Sequence, residues 1–400
     1  MPKLLFVGPY PPPYGGIASH LNDILPALKK MGYESITLTT SLQDNRTISD
    51  SGEHIYFSPK KYLARNFVRV LFDLILKAKE KRDLPWREYF QSIILAKFVS
   101  QIKKQNNISA VYIYTITHGL AIPLIKKDDR LTPIFLMIFG AFYLSPHKYT
   151  TMPRYIQEAL RSADKLIASS KYCGDSIKNI FNYEFHVKVI YIGVDLEIFN
   201  PNVLGAKLQS ELKIPPNSNV LLFLGRMDKS MGLDSIIQIH ERIRELDPSI
   251  YLVIAGAEGA LSQKVSELSK INDWIKYCPN IPFERKPEYY ALSDIFLAPT
   301  SDTHACMGVS IKEAMAMGKA IIASKSGGIP EAIVDDYNGY IIPFNNSNLD
   351  VKLFLEKIAR LLSDENLRKE FGTKAKATVL EKFSSQQTIT KYLDVINTIT

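Results

Sequence analysis

Short apolar segments alternate with segments of helix length along this chain, and the alternation starts again in its second half. The first half opens with the apolar segment Lys3–Val7, a glycine-containing loop and a helical pattern over Ile17–Met31. The second half opens in the same way, with Val220–Leu224 and a further glycine loop. Between them Gly193–Pro201 has little periodicity and is predicted to be a linker. Such alternation predicts two Rossmann-like α/β domains with a cleft between them.

Length and composition agree with that prediction and exclude several other classes of protein. The 400 residues are 46% hydrophobic and 22% charged, which is typical of globular domains. The N-terminus has one lysine and a short apolar segment ended by prolines, so no signal peptide is predicted. The longest apolar run, Pro133–Leu144, is shorter than the roughly 20 residues of a spanning helix. Three widely spaced cysteines (Cys173, Cys278 and Cys306) lack metal-ligand spacing, which predicts reduced thiols in a cytoplasmic protein.

The net charge of +8 is unevenly distributed along the chain. Residues 1–200 carry 26 Lys and Arg against 17 Asp and Glu, whereas residues 201–400 carry 23 against 24. Residues 60–104 alone hold 12 basic and 4 acidic residues, in two segments of partly amphipathic helical pattern. Two interpretations remain open, namely peripheral contact with an anionic membrane or a helical pair packed on its own domain with a solvated basic face. No nucleic-acid motif accompanies the charge, so no nucleic-acid partner is predicted.

The stretch Ala298–Glu331 carries the strongest site prediction. A strand ends at Ala298, a polar loop follows, and a helix opens near Gly308. The next buried strand, Lys319–Ser324, leads through a glycine turn into another predicted helix near Pro330. Two helix N-termini at the carboxyl ends of neighbouring parallel strands form a typical site for an anionic ligand. The stretch therefore predicts that a diphosphate binds here.

The motifs in this order resemble those of the retaining glycosyltransferases of family 4, over nearly the whole chain. The resemblance is carried by PYPPPYGGIASHL near the N-terminus, by VKVIYIGVDLEIFNP before the linker, and by FLGRM and GVSIKEAMAMGKAIIASKSGGIPEAI in the second half. It implies the GT-B architecture, in which two Rossmann-like domains face each other across a cleft. The domains implied are an acceptor-binding domain at 1–195, a nucleotide-sugar-binding domain at 196–382, and a C-terminal helix at 383–400 that packs back on the first domain.

The resemblance also assigns roles to individual residues. Arg226 would bind the donor diphosphate and Glu313, the second glutamate of the family's E-x7-E motif, would accept hydrogen bonds from the ribose. Backbone amides at the start of the predicted helix would hold the distal phosphate, with glycines of the first domain approaching it closely. The full set of donor-binding residues predicted in this way is Gly15, Gly16, Arg226, Lys229, Gly256, Met307, Gly308, Val309, Ser310 and Glu313.

The chain departs from the family pattern at three positions. The first glutamate of E-x7-E falls on Ala305, and the adjacent His304 is the predicted replacement as a contact of the donor sugar. The lysine expected beside the arginine falls on Met231, which leaves Lys229 as the predicted phosphate ligand. The histidine usual after the strand at 132–138 falls on Phe139. His118, after the preceding strand, is predicted to stand near the acceptor and, with Glu313 and Arg226, to complete the catalytic set.

The resemblance implies a retaining glycosyltransferase that moves a sugar from a UDP- or GDP-linked donor to a hydroxyl of a glycan. No metal or other cofactor is expected. The basic first half suggests a lipid-linked acceptor in polysaccharide, O-antigen or exopolysaccharide biosynthesis, with the protein cytoplasmic or peripheral at the inner face of the membrane. The alternatives are a catalytically silent GT-B partner of an active transferase and a GT-B enzyme of other chemistry, such as a sugar-nucleotide epimerase.

Overall fold

The chain folds into two compact units in a computed structural model. The structure describes residues 1–10, 16–41, 44–49, 52–65, 86–140, 153–181, 185–301, 306–345 and 348–397. Residues 1–191 together with 388–400 form one unit, which we call the N-unit, and residues 192–387 form the other, the C-unit. The chain therefore enters the C-unit at Ile192, just before the predicted linker. It returns to the N-unit at Thr388, within the last helix of the chain.

The N-unit is built on a sheet with strand order β3-β4-β2-β1-β5-β6-β7-β8. Strand β3 pairs antiparallel with β4, and the other neighbours pair in parallel. The hairpin of β3 and β4 was not predicted, because β3 is exposed throughout and has no apolar pattern. The strands are β1 (Lys3–Val7), β2 (Glu34–Thr40), β3 (Asn45–Ser49), β4 (Gly52–Phe57), β5 (Ile108–Tyr114), β6 (Ile134–Ile138), β7 (Lys165–Ala168) and β8 (Val187–Val189).

The helices of the N-unit connect these parallel strands and cover the sheet. They are α1 (Gly16–Lys30), α2 (Pro59–Arg65), α3 (Trp86–Gln105), α4 (Ile116–Gly119), α5 (Ile122–Asp128), α6 (Pro153–Ser162) and α7 (Lys171–Phe181). The last helix of the chain, α15 (Ser385–Asn397), contributes Ile389, Tyr392, Val395 and Ile396 to the core beneath α1. Each such buried side chain contributes on the order of 1.5–3 kcal/mol of hydrophobic stabilisation.

The basic segment 60–104 is described in part, as α2 and α3. The apolar residues of α3 are buried within the N-unit, including Tyr89, Ile93 and Val99. One basic residue of the segment, Lys103, lies with its ammonium 2.7 Å from the carboxylate of Asp129. The apolar side of α3 is thus used for packing in its own unit, and residues 66–85 lie outside the described residues.

The C-unit is built on a fully parallel sheet with strand order β11-β10-β9-β12-β13-β14. Its central strands are continuous apolar runs because helices cover both of their faces. A short antiparallel pair, β15 and β16, follows the sheet. The strands are β9 (Val220–Leu224), β10 (Tyr251–Gly256), β11 (Ile275–Pro279), β12 (Ile295–Ala298), β13 (Ala320–Ser324), β14 (Tyr340–Ile342), β15 (Phe344–Asn345) and β16 (Asn348–Leu349).

The helices of the C-unit begin where local sequence allows. Asp350 and Asp364 each accept a hydrogen bond from a first-turn amide of the helix that follows, which satisfies backbone donors that the helix leaves unpaired. The helix predicted near Pro330 was wrong: the chain forms only a 3-10 turn there, Ile329–Glu331. The helices are α8 (Ala206–Glu211), α9 (Leu233–Leu246), α10 (Ser262–Ile271), α11 (Lys286–Leu292), α12 (Val309–Ala316), α13 (Val351–Ser363) and α14 (Glu365–Lys382).

Candidate functional site

The topology of the C-unit sheet marks one place where a ligand is expected. From β9 the chain proceeds through β10 to β11 on one side of the sheet, and from β12 it proceeds through β13 to β14 on the other. Open parallel sheets bind ligands outside the carboxyl ends of the strands at such a switch point. Gly225 and Arg226 follow β9, and Pro299 follows β12. The predicted arginine and the predicted diphosphate stretch therefore meet at this switch point.

Hydrogen bonds fasten the loop after β9 to the loop after β12. Thr300 Oγ1 donates to the carbonyl oxygen of Ser230 at 2.8 Å, and the amide of Ser301 donates to the same oxygen at 3.0 Å. Gly232 ends the first loop with a φ of +74°, and a Cβ atom there would lie 1.9 Å from the carbonyl oxygen of Pro299. Only glycine fits this close approach, so the backbone of the site is held before any ligand arrives.

Arg226 presents an available guanidinium at this edge of the sheet. Its side chain is 64% exposed, and its Nε lies 3.8 Å from Asp228 Oδ2. Asp228 in turn accepts a hydrogen bond from the amide of Ala260 at 2.7 Å. An exposed pair at this distance contributes little to stability. Among the residues that the structure describes, no other acid pairs with Arg226, so its planar set of donors is free for an anionic ligand.

Met231 and Lys229 lie on the same loop in different environments. Met231 packs against the apolar core of the C-unit, and its Cε would lie 3.2 Å from a Cβ at Gly225. Lys229 is exposed and opens the 3-10 turn that ends at Met231. The position where the family pattern has a lysine is therefore filled by a side chain that faces inward. Lys229, like Arg226, is a cation that this loop exposes to solvent.

The N-terminus of α12 provides backbone donors near the same edge. Gly308 precedes the helix with a φ of +69° and makes no side-chain cap. The first amides of a helix have no intrahelical acceptor, and the helix dipole favours an anion there. Ser324 Oγ at the end of β13 donates to the carbonyl oxygen of Thr300 at 2.5 Å, which joins the ends of β12 and β13. Of the four predicted amide ligands, Met307 is buried, whereas Val309 and Ser310 are half-buried.

Glu313 lies in the second turn of α12 and is 2% exposed. Its Oε1 accepts a hydrogen bond from Lys286 Nζ at 2.5 Å, and its Oε2 accepts one from Tyr290 Oη at 2.6 Å. Tyr290 also lies 3.2 Å from the carbonyl oxygen of Ser310. A carboxylate offers about four lone-pair positions, so two remain after these bonds. The predicted ribose ligand is thus a buried carboxylate already held by two donors.

Lys286 and Tyr290 were not predicted as part of the site. They lie four residues apart on α11, which places them on one face of that helix. The ammonium of Lys286 lies 5.2 Å from the ring centroid of Phe283 and 5.7 Å from that of Phe199. Burial, together with the negative charge of Glu313, raises the pKa of Tyr290 well above its ordinary value, so its hydroxyl remains a donor. The sequence indicated only that this lysine and this tyrosine, at i and i+4, lie on the same face of a helix.

Gly256 ends β10 beside the loop that carries Arg226. A Cβ atom at Gly256 would lie 2.2 Å from the carbonyl oxygen of Gly225. This close approach of two backbones requires glycine whether or not a ligand binds. The role of Gly256 in donor binding therefore stays a prediction.

Two predicted residues follow the strands at the switch point of the N-unit sheet, which lies between β1 and β5. Gly16 is the first residue of α1, and a Cβ atom there would meet no described atom within 4 Å. His118 follows β5, with its Nδ1 lying 3.1 Å from the carbonyl oxygen of Tyr114 and 3.0 Å from Thr115 Oγ1. Burial lowers the pKa of His118, which favours the neutral ring. Thr115 has a φ of +87°, which is a strained conformation for a β-branched residue.

The position where the family pattern has a histidine is part of an aromatic cluster. The ring of Phe139 lies 5.2 Å from that of Tyr114 and 5.4 Å from that of His20. His20 Nε2 lies 3.1 Å from Tyr392 Oη in the core of the N-unit. Gly15, His304 and Ala305 lie outside the described residues.

Two kinds of feature are absent from the described part of the chain. No helix in it is long and apolar enough to cross a membrane. No group of three or more His, Cys, Asp or Glu side chains in it is arranged to hold a metal ion.

Comparison with known proteins finds a family match that lies within the C-unit. Residues 206–378 match the model of glycosyl transferases group 1. An uncharacterized glycosyltransferase of Methanocaldococcus jannaschii is 28% identical over 235 residues, which are 58% of this chain and 58% of that protein. The lipopolysaccharide 1,2-N-acetylglucosaminetransferase of Salmonella typhimurium is 30% identical over 189 residues, 44% of this chain and 48% of that protein. The chain therefore matches about half of the length of these relatives.

A solved structure extends the likeness to the whole chain. An Anabaena protein crystallised in complex with UDP has a TM-score of 0.74 and 17% identity, and the alignment covers 100% of both chains. At this identity the likeness establishes the fold. Together with the two parallel sheets, it shows that the chain has the GT-B fold, and residues 206–378 within that fold match the model of glycosyl transferases group 1.

Proposed function

We propose that this protein transfers a sugar from a nucleoside-diphosphate sugar to a hydroxyl of a glycan, with retention of configuration. The observation that carries the proposal is the switch point of the C-unit sheet. There an exposed arginine follows the carboxyl end of β9, and a helix N-terminus and a buried carboxylate follow that of the neighbouring strand β12. The motifs shared with retaining family 4 enzymes support retention. The Anabaena neighbour, crystallised in complex with UDP, supports a uridine nucleotide.

The diphosphate of the donor matches the charge of this edge. Arg226 can donate two parallel hydrogen bonds to phosphate oxygens, and Lys229 adds a second exposed cation on the same loop. The N-terminal amides of α12 supply backbone donors and the positive end of a helix dipole. These groups stabilise the charge that grows on the leaving phosphate as the sugar–phosphate bond breaks.

Glu313 gives the site its proposed specificity for a ribose. Its two remaining lone-pair positions suit the 2′ and 3′ hydroxyl groups, which can each donate one hydrogen bond. Because the carboxylate is 2% exposed, ribose binding must displace a neighbouring group. We propose that the group displaced is Lys286, whose side chain is 16% exposed, whereas Tyr290 stays in place.

Retention requires the acceptor to attack the face of the sugar that the diphosphate leaves. The bond between C1 and the phosphate oxygen breaks, and the bond between C1 and the acceptor oxygen forms. The acceptor's proton passes to the departing phosphate oxygen, so the protein's main contributions are positioning and charge stabilisation. Burial lowers the pKa of His118 and so favours its neutral ring. We propose that His118 holds the acceptor and does not carry that proton.

A lipid-linked acceptor in polysaccharide biosynthesis is proposed on two grounds. The Salmonella relative is named as a lipopolysaccharide 1,2-N-acetylglucosaminetransferase, and residues 1–200 carry a net charge of +9. Since the apolar side of α3 is packed in its own unit, the exposed basic residues of that helix, Arg87 and Lys104, would make the contact with an anionic membrane. Co-sedimentation with anionic vesicles at low salt, lost at high salt, would support this membrane contact. No co-sedimentation at low salt would contradict it.

Donor binding at Arg226 is the direct test. Thermal shifts with UDP-, GDP- and ADP-sugars identify the nucleotide, because a bound ligand raises the unfolding temperature by mass action. In Arg226→Ala the KM for that donor should rise by about tenfold or more, since charge-assisted hydrogen bonds are lost. Arg242→Ala is the matched control, because Arg242 is an exposed arginine on α9. Unchanged donor KM in Arg226→Ala would overturn the assignment.

A catalytically silent partner of an active transferase is the second candidate. The inward packing of Met231 favours it, since this side chain replaces the lysine of the family pattern. Calorimetry distinguishes the two functions: the enzyme binds a nucleoside diphosphate, whereas a silent partner shows no binding at millimolar concentration.

A further inference from the structure

A second basic site lies at the opposite edge of the N-unit sheet from the switch point. A cavity of about 400 Å³ opens beside the first residues of β7 and β8. Lys165 is the first residue of β7, and His186 and Lys188 flank the first residue of β8. Lys178 reaches the cavity from the last turn of α7. Parallel strands begin here, so this cavity is not at the carboxyl edge where His118 lies.

The basic groups of this cavity are not neutralised by the acids around them. No described acid lines the cavity, and none of Lys165, Lys178 and Lys188 pairs with a described carboxylate. Asp164, next to Lys165 in sequence, is engaged elsewhere: its Oδ2 lies 2.5 Å from Lys126 Nζ and accepts the amide of Ile134 at 2.6 Å. Three lysines thus face one cavity with their charges uncompensated by the described residues.

The floor of the cavity is apolar. Leu166, Phe185, Val187 and Val395 line it, and Val395 comes from α15. A volume of this size accommodates a small ligand rather than a single ion. Apolar walls also reduce the effective dielectric around the lysines, which strengthens their attraction for an anion.

We propose that this cavity binds a phosphate-bearing ligand, either the head group of an anionic lipid or a soluble phosphate ester. The lysine ammonium groups would each donate to phosphate oxygens, and the apolar floor would take the carbon part of the ligand. The site is separate from the donor site in the C-unit. Its occupancy therefore does not depend on the proposed function.

Lysine footprinting on the full chain tests the proposal at the residue level. The protein is acetylated at low ionic strength with and without inorganic pyrophosphate, and with vesicles of phosphatidylglycerol or of phosphatidylcholine. Acetylation of Lys165, Lys178 and Lys188 is measured by mass spectrometry, with Lys264 on the exposed face of α10 as the internal reference. A soluble ligand is indicated by protection with pyrophosphate alone, and a lipid head group by stronger protection with phosphatidylglycerol than with phosphatidylcholine.

Variants then show whether the three lysines act as one site. Lys188→Gln should weaken protection of Lys165 and Lys178 by about tenfold in pyrophosphate concentration, since one charge-assisted hydrogen bond is lost. Lys264→Gln removes one exposed lysine in the C-unit and should leave that protection unchanged. If neither pyrophosphate nor either vesicle protects the three lysines more than Lys264, the proposal is overturned. Donor binding measured on the same samples reports separately on the proposed function.

Discussion

The two sheets of this protein have switch points at corresponding places, between β1 and β5 in the N-unit and between β9 and β12 in the C-unit. The residues that follow the strands differ between the two switch points. The C-unit switch point has an exposed arginine, a clamped loop and a helix N-terminus, whereas the N-unit switch point has Gly16, a half-buried His118 and an aromatic cluster. Topology thus sets where a ligand can bind, and the side chains after the strands decide which ligand it is.

The largest expected effect is the loss of both donor binding and stability when a glycine at the C-unit switch point is replaced. Gly232→Ala would place a Cβ atom 1.9 Å from the carbonyl oxygen of Pro299 at a φ of +74°, so the clamped loop must move. We expect the free energy of unfolding to fall by about 2 kcal/mol or more, together with loss of donor binding. Gly16→Ala meets no described atom within 4 Å and should change the unfolding free energy by less than about 0.5 kcal/mol.

Denaturant unfolding and donor calorimetry on both variants make this comparison. A fall in activity in Gly16→Ala at unchanged stability would support the predicted close approach of a ligand to that backbone. Equal stability losses in the two variants would contradict the expected difference between Gly232 and Gly16.

The next effect concerns the buried ion pair of the C-unit site. Lys286→Met leaves the carboxylate of Glu313 without its charge partner in an environment where it is 2% exposed. The free energy of unfolding should therefore fall by about 3–5 kcal/mol. Adding Glu313→Gln should recover part of that loss, because no uncompensated charge remains. Lys264→Met, at an exposed position, is the control, and a loss as large in this control would contradict the argument.

The role of Glu313 toward a ribose is expected to appear as a loss of discrimination. The wild-type protein should bind UDP about tenfold more tightly than 2′-deoxy-UDP, because the deoxy ligand lacks the 2′ hydroxyl that would donate a hydrogen bond to the charged carboxylate. In Glu313→Gln that ratio should shrink toward unity, while Glu284→Gln, at an exposed position, should preserve it. Calorimetry gives both affinities. If Glu313→Gln still bound UDP about tenfold more tightly than 2′-deoxy-UDP, Glu313 would have a structural role and would not contact the ribose.

The smallest effect is a dependence of stability on pH that arises in the N-unit. Burial lowers the pKa values of His54 and His118 below their ordinary value of 6.5. The unfolded chain then binds protons at a higher pH than the folded chain does, so the free energy of unfolding falls as the pH drops through 6.5 and levels off below the folded pKa values.

Replacing these histidines tests the origin of that decline. Denaturant unfolding at several pH values should show a shallower decline in His54→Gln/His118→Gln than in the wild type. Coincident pH profiles would show that the decline has another source. The double variant also loses the hydrogen bonds of His54 to Thr37 and Ser49, so the slope with pH, rather than the stability itself, is the relevant readout.

Much of the fold could be predicted because its determinants are local. The central strands of the C-unit sheet are continuous apolar runs, and α12 begins one residue after the predicted glycine. The position of Arg226 after β9 follows from the same local pattern. By contrast, β3 has no apolar alternation, and the turn after Gly328 has the proline and glycines of a helix start but ends after three residues. Periodicity indicates an element only when one of its faces is buried.

The sequence by itself determined the two-unit α/β architecture, the family motifs and the strand ends at which the C-unit site lies. Only the tertiary structure decided what Glu313 contacts, because its partners Lys286 and Tyr290 come from a helix more than twenty residues earlier. It also decided that Met231 faces the core and that Lys165, Lys178 and Lys188 share one cavity with Val395. Hydrophobic periodicity reports the face of a single element, whereas hydrogen bonds, ion pairs and cavities join elements distant in the chain.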